Sequence, residues 1–353
     1  MSFEPKCMAT GIGSFPHPKA EDAVRVILDT IPDAPVWPQL PANGINEQME
    51  VQYSEGLPRV VIDREKERMY IDTTGDYSAD LATFYENFLA ENFDYFQVTP
   101  EFSKGIYAME AALKAAGGKR PFVKLQTTGP ITFGLTIVDE NKRAIYYNPE
   151  FIDVVIKALA MKCRWQIRKF RPYAENIICF VDEPILSAFG SSTYMSVSRE
   201  DVVAKLKEVM DAVHAEGALA GTHCCGNTEW SILIDAGADI VNFDAFDYGE
   251  TVALYPQAMK RHLESGHVLA WGVVPTNSTK IQSQTLASLL AKFDEGVQGL
   301  AKAANIDREL VIKQAMVTPS CGTGSLPVVD SERVFSMLCQ TSRALRERMG
   351  ASA

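Results

Sequence analysis

Short apolar runs alternate with amphipathic helical patterns along almost the whole chain. The runs read as strands at Cys7–Ser14, Tyr95–Val98, Phe122–Thr127, Asn176–Asp182, Leu219–Cys225, Ile240–Phe246, His267–Val274 and Ala315–Cys321. The segments between them carry helix-end signals. Asn148-Pro149-Glu150 places a capping residue, a first-turn proline and an acid at the positive end of a helix. Ser198 with Asp201 opens another helix, and Gly217 closes it.

Eight strands alternating with helices predict a parallel α/β sheet, and the length of 353 residues predicts its closure into a single-domain (β/α)8 TIM barrel over residues 1–353. The competing arrangement is an open doubly wound sheet. That fold usually carries a Gly-rich phosphate loop after its first strand, and GIGSFP at 11–16 lacks the third glycine of GxGxxG. Val36–Leu40 is short and broken by prolines, so with Pro41–Arg59 it is expected as a long loop, around 35–60, over the barrel mouth. No internal repeat, low-complexity tract or linker interrupts the pattern.

Composition narrows the class. No apolar run approaches the roughly 20 residues of a membrane span, and the N-terminus shows no basic stretch followed by an apolar one. The expectation is a cytoplasmic chain without a membrane partner. A net charge of −11, spread without a basic stripe, argues against a nucleic-acid partner. Seven irregularly spaced cysteines in a chain this long read as thiols or metal ligands rather than disulfide staples.

Active-site groups of such a barrel project from the carboxyl ends of its strands. Those ends hold Gly13-Ser14, Gln126-Thr127, Asp182-Glu183, His223-Cys224-Cys225, Asp244, Val274 and Cys321. Side chains two apart on a strand share a face, so His223 and Cys225 point one way and Cys224 the other. An imidazole beside a thiolate is half of a zinc site, and Cys321, in TPSCGTG, supplies a third ligand. Asp244 is the candidate fourth ligand, with Asp247 as its alternative. A lone His-x-Cys in a strand is also an ordinary core pattern, and Cys321 brings the metal reading level with it. Asp182 is either a carboxylate at the mouth, suited to a cationic substrate group, or the start of a solvated loop. The amides of Gly13 and Ser14 suit a carboxylate. Trp37, Trp230 and Trp271 read as packing residues, as do Cys163 and Cys339.

The order of these motifs resembles the C-terminal catalytic barrel of cobalamin-independent methionine synthase, in the uroporphyrinogen decarboxylase-like superfamily. IGSFP at 12–16, TGPIT at 128–132, DEP at 182–184, His223-x-Cys225, ADIVNFD at 238–244 and PSCG at 319–322 follow the family's signatures through nearly the whole chain. The resemblance implies zinc ligation by His223, Cys225 and Cys321, with Asp244 standing where the family has a glutamate. It implies that Ile12, Gly13 and Ser14 bind the homocysteine carboxylate and that Asp182 binds its amino group, with Glu47 a further amine-binding candidate. Asp182 and Asp244 are thereby the candidate catalytic carboxylates.

Two family features do not appear: a preceding barrel of similar size and a YGSR-type segment before TGPIT that helps hold folate. The expected activity is therefore zinc-dependent methyl transfer from methylcobalamin or a methylated corrinoid protein to the thiol of homocysteine, giving methionine. Two neighbouring activities compete, methyl transfer to coenzyme M and decarboxylation of a tetrapyrrole. Pro35–Trp37 resembles an early decarboxylase motif, but the arginines that follow it there are missing. The loop at 35–59, with Trp37 and Tyr53, is expected as an apolar rim for the corrin face.

Overall fold

The computed structural model describes residues 3–191 and 196–350; the outermost positions of the expected 1–353 unit, 1, 2 and 351–353, lie outside the described residues. Among the described residues ten strands form: β1 (Met8–Ala9), β2 (Val60–Asp63), β3 (Arg68–Ile71), β4 (Arg120–Thr128), β5 (Val138–Asp139), β6 (Ala174–Asp182), β7 (Leu219–Cys224), β8 (Ile240–Phe243), β9 (Val268–Val274) and β10 (Ala315–Pro319). Seven of them make one parallel sheet in the order β1-β10-β9-β8-β7-β6-β4, which curls on itself. Strands β2, β3 and β5 form a small separate sheet.

Helices cover the convex side of the curled sheet, and burial on both faces explains why its strands are continuously apolar. The expected caps form. Asn148 accepts from the amides of Glu150 and Phe151, and Ser198 accepts from Asp201. Two apolar layers result. The larger lies between sheet and helices. The smaller fills the concave side at the amino-terminal half of the strands, with Met8, Ala34, Ile178, Phe180, Ile240, Val268, Ala270 and Met316. Above that plug the same faces turn polar, with Lys124, Gln126, Asp182, His223, Asn242 and Thr318 all buried. The sheet is floored with hydrocarbon and lined at its carboxyl end with chemistry.

Two expectations are corrected. Tyr95–Val98 is not a strand; the amides of Tyr95 and Phe96 turn back to the carbonyls of Asn92 and Phe93. The carbonyls of Phe96 and Gln97 are instead taken by the fully buried Lys162 ammonium, at 3.4 and 3.3 Å. The sheet accordingly has seven strands, not the eight of a closed barrel. Between its end strands β1 and β4 runs the proline-rich stretch 32–39, extended but not a strand. The amides of Phe122 and Lys124 donate to Asp33 and Pro35 on one side, and on the other Gln39 donates to Gly13 and Phe15 donates to Gln39. Pro35 and Pro38 have no N–H to give, which keeps this stretch from a regular ladder. Further along the expected loop the chain makes short turns at Pro41–Asn43, Ile45–Glu47 and Val51–Tyr53. Among the described residues no helix is long and apolar enough to cross a membrane.

Candidate metal and substrate site

The carboxyl ends of β4, β6, β7 and β10 and the turn after β1 surround a cavity of about 140 Å³. Ile12, Gly13, Ser14, Asp182, His223, Cys225 and Cys321 all line it, so seven of the sequence-predicted residues come together there. The ligand atoms of His223, Cys225 and Cys321 lie within 4.8 Å of one another. Tetrahedral zinc, with bonds of ~2.0–2.3 Å, holds its ligand atoms ~3.3–3.8 Å apart, so small side-chain movements suffice. Cys224, between His223 on β7 and Cys225 just past its end, is wholly buried. A register shift between Thr318 and Pro319 breaks the β10 ladder just before Cys321, where a bulge re-aims the chain.

Asn242 sets the imidazole. Its amide nitrogen donates to Ala270 O at 2.8 Å and to Thr318 Oγ1 at 2.7 Å. Its Oδ1 must therefore face His223 Nδ1, with which it is paired. That places the proton on Nδ1, while Nε2 is buried without a partner. A histidine held by its far nitrogen, with the near one free beside two sulfurs, is arranged as metal ligands are. The electrostatics agree. The neighbouring Cys321 thiol first and the His223 imidazole second pull the Cys225 thiol well below its ordinary range, and the Cys225 sulfur in turn pushes Cys321 upward. Burial opposes a charge on His223, but the Cys225 sulfur and Asp182 outweigh it and raise its pKa. The cluster attracts positive charge, and its residues fit a zinc ion.

Asp182 and Glu183 divide the two sides of β6. Glu183 is fully buried and accepts from the amides of Ile131 and Thr132 and from the Thr132 hydroxyl, at 2.9, 2.7 and 2.6 Å. The DEP and TGPIT motifs are thus two halves of one contact. Asp182 faces the cavity, and its Oδ1 has no partner. Burial raises its pKa, and the Lys124 ammonium offsets part of that rise. Lys124, fully buried, donates to Ile12 O at 2.7 Å and so ties down the turn after β1. Gly322 lets that turn approach Cys321, since a Cβ at 322 would sit 2.1 Å from Ser14 Oγ.

Other expected residues lie elsewhere. Asp244 is not in the metal group: its Oδ1 caps the short helix Ala245–Tyr248, accepting from Phe246 and Asp247 at 2.9 Å. Its alternative, Asp247, pairs with Lys280. Glu47 does not line the cavity; it is buried near the start of the helix Lys104–Ala116, and Met49 reaches the cavity in its place. Trp37 and Tyr53 cannot serve as an exposed rim, because both are wholly buried with their polar atoms bonded to Gln166 and to Gln126 O. Asn242 and Lys124 escaped the sequence reading. The signal for Asn242 was a single polar residue inside an otherwise apolar strand, and that for Lys124 a charge between two apolar neighbours.

A larger cleft of about 560 Å³ lies at the opposite end of the strands, near Lys6 and Lys313. Its arginines, Arg308 and Arg348, are already paired with Asp294.

No protein-family model and no curated protein sequence matches the chain. Among solved structures, it is similar to a candidate vitamin B12-independent methionine synthase from Listeria monocytogenes, with 11% identity and a TM-score of 0.55 over 94% of this chain and 85% of that one. It is also similar to a B12-independent methionine synthase from Shewanella solved in complex with selenomethionine, with 11% identity and a TM-score of 0.52 over 97% of this chain and 98% of that one. At this identity the likeness is one of fold: the chain has the architecture of the B12-independent methionine synthase structures.

Proposed function

We propose that this protein transfers a methyl group to the thiol of homocysteine, giving methionine, at a zinc ion held by His223, Cys225 and Cys321. The observation that carries the reading is the convergence of those three ligand atoms on a cavity that also presents an unpartnered Asp182 carboxylate. Three protein ligands leave a fourth position for the substrate, as in catalytic zinc sites, and zinc there would supply the substrate sulfur as a thiolate at neutral pH. Asn242 orients the His223 ring. Asp182 takes the substrate ammonium, and the Gly13 and Ser14 amides take its carboxylate. The new sulfur–carbon bond forms as the donor–methyl bond breaks, and the thiol proton leaves to solvent. Held in line, the two partners react as one molecule.

A cavity of about 140 Å³ suits an amino acid. A sulfonate such as coenzyme M would meet the Asp182 carboxylate. The Shewanella protein was solved with selenomethionine, the selenium counterpart of the product named here. The corrinoid donor expected from the sequence is not carried forward, because its rim is buried and both similar structures are B12-independent.

The test is methionine formation from homocysteine by zinc-loaded protein, with methyltetrahydrofolate and methylcobalamin offered separately. Methionine should appear, and Cys321→Ser should lose both zinc and turnover while staying folded. Methylation of coenzyme M alone, or turnover that survives loss of zinc, would overturn the reading.

A further inference from the structure

Four buried side-chain oxygens at the carboxyl ends of β4 and β6 have no hydrogen-bond partner; Thr127 Oγ1 belongs by alternation to the other face of β4, and Gln126 Oε1, Thr128 Oγ1 and Asp182 Oδ1 share one face. Native interiors rarely leave such atoms unpaired, so three on one wall mark a place built for a ligand rich in donors. The strand register puts them together. Thr128 lies opposite Asp182, and Gln126 lies opposite Phe180, one pleat below on the same face.

Gln126 is held in one orientation. Its Nε2 donates to Trp37 O at 2.9 Å, and turning the amide over would set oxygen against oxygen. Its backbone carbonyl accepts from Tyr53 at 2.7 Å and from Gln166 at 3.1 Å. The Gln166 side chain in turn accepts from the Trp37 indole at 3.0 Å. The residue is therefore a rigid arm whose free oxygen reaches the cavity.

We propose that Gln126 and Thr128 join Asp182 as the receptor for the substrate ammonium, three acceptors for three N–H donors. This rests on the methyl-transfer reading and adds the device by which the site selects an α-amino thiol. One carboxylate supplies the charge, and two neutral acceptors supply direction. A second carboxylate in their place would repel Asp182 at close range.

The test compares homocysteine with 4-mercaptobutanoate, which has the same thiol and carboxylate but no amine. Binding to zinc-loaded protein is measured by calorimetry for the parent, Gln126→Met and Thr128→Val. Both substitutions preserve volume and remove the acceptor, so either can report if the other fails to fold. Homocysteine should bind each variant about tenfold more weakly, while affinity for 4-mercaptobutanoate and zinc content stay the same. Equal weakening toward both thiols would make these residues structural and overturn the inference, as would unchanged affinity for homocysteine. A parent that binds zinc but neither thiol would overturn the methyl-transfer reading itself, and this inference with it.

Discussion

Replacing Asn242 by alanine tests whether the imidazole is set up for a metal by its neighbour. The substitution removes one acceptor and two donors from a fully buried site. The Thr318 hydroxyl can turn to another partner, and Ala270 O loses a side-chain donor. The lasting injury falls on the His223 Nδ1–H, a buried donor with no acceptor, at a cost of ~1–3 kcal/mol. The ring can escape by moving its proton to Nε2, but that removes the lone pair facing Cys225 and Cys321. On either route zinc affinity suffers, and losses of this kind run ~10–100-fold, or ~1.4–2.7 kcal/mol. Competition with a chromogenic chelator would give the affinity. Nitrogen-15 spectra of His223 would give the tautomer. Asn242→Asp keeps the acceptor and should retain zinc. If Asn242→Ala bound zinc like the parent while Cys321→Ser did not, the ring would be positioned by packing alone, and the argument from Asn242 would fail.

Two further outcomes follow from the geometry. Burial depresses the pKa of His262 from 6.5 to about 4, so the unfolded chain binds its proton first as pH falls, and native stability should drop between those values by up to about 3 kcal/mol; denaturant titrations of the parent and His262→Gln would measure this, and identical pH slopes would refute it. Gly322→Ala forces a methyl within 2.1 Å of Ser14 Oγ and should destabilise the protein by ~1–3 kcal/mol. A double-mutant cycle with Ser14→Gly should recover part of that loss, whereas strict additivity would show that the two turns do not touch.

Seven of the eight expected strands overlap observed ones, because a strand covered on both faces announces itself as an apolar run bounded by polar turns. Tyr95–Val98 misled for the same reason. Its aromatic and branched residues do face the core, but as turns whose carbonyls are satisfied from afar by Lys162. That compensation lies 65 residues away from Gln97 and has no local signature. The hairpin of β2 and β3 shows in the sequence as two apolar runs flanking a charged turn at 64–67, but it stands outside the repeating strand–helix rhythm.

At the site, the alternation rule sufficed to separate His223 and Cys225 from Cys224, since it depends only on the pleat. Asp244 was the harder case. An acid at a strand end can face a cavity or cap the helix that follows, and two free amides decided for the cap. Gln126 and Asn242 owe their roles to partners on other strands and loops, which no spacing along the chain displays.

The pairing of β1 with β10 has a consequence for how the protein is made. Met8 lies beside Met316, so the first strand completes its pairing only after the last has been synthesised. Contacts this distant in sequence slow folding, because the closure entropy is lost before the contact forms. The same delay applies to the metal group. Cys225 leaves the ribosome 96 positions before Cys321, with His223 just ahead of it, roughly 5–20 s earlier at ordinary elongation rates. During that interval the nascent chain carries an imidazole and a thiol without the third ligand. On the proposed zinc reading, the three-ligand site is therefore complete only once the last strand docks.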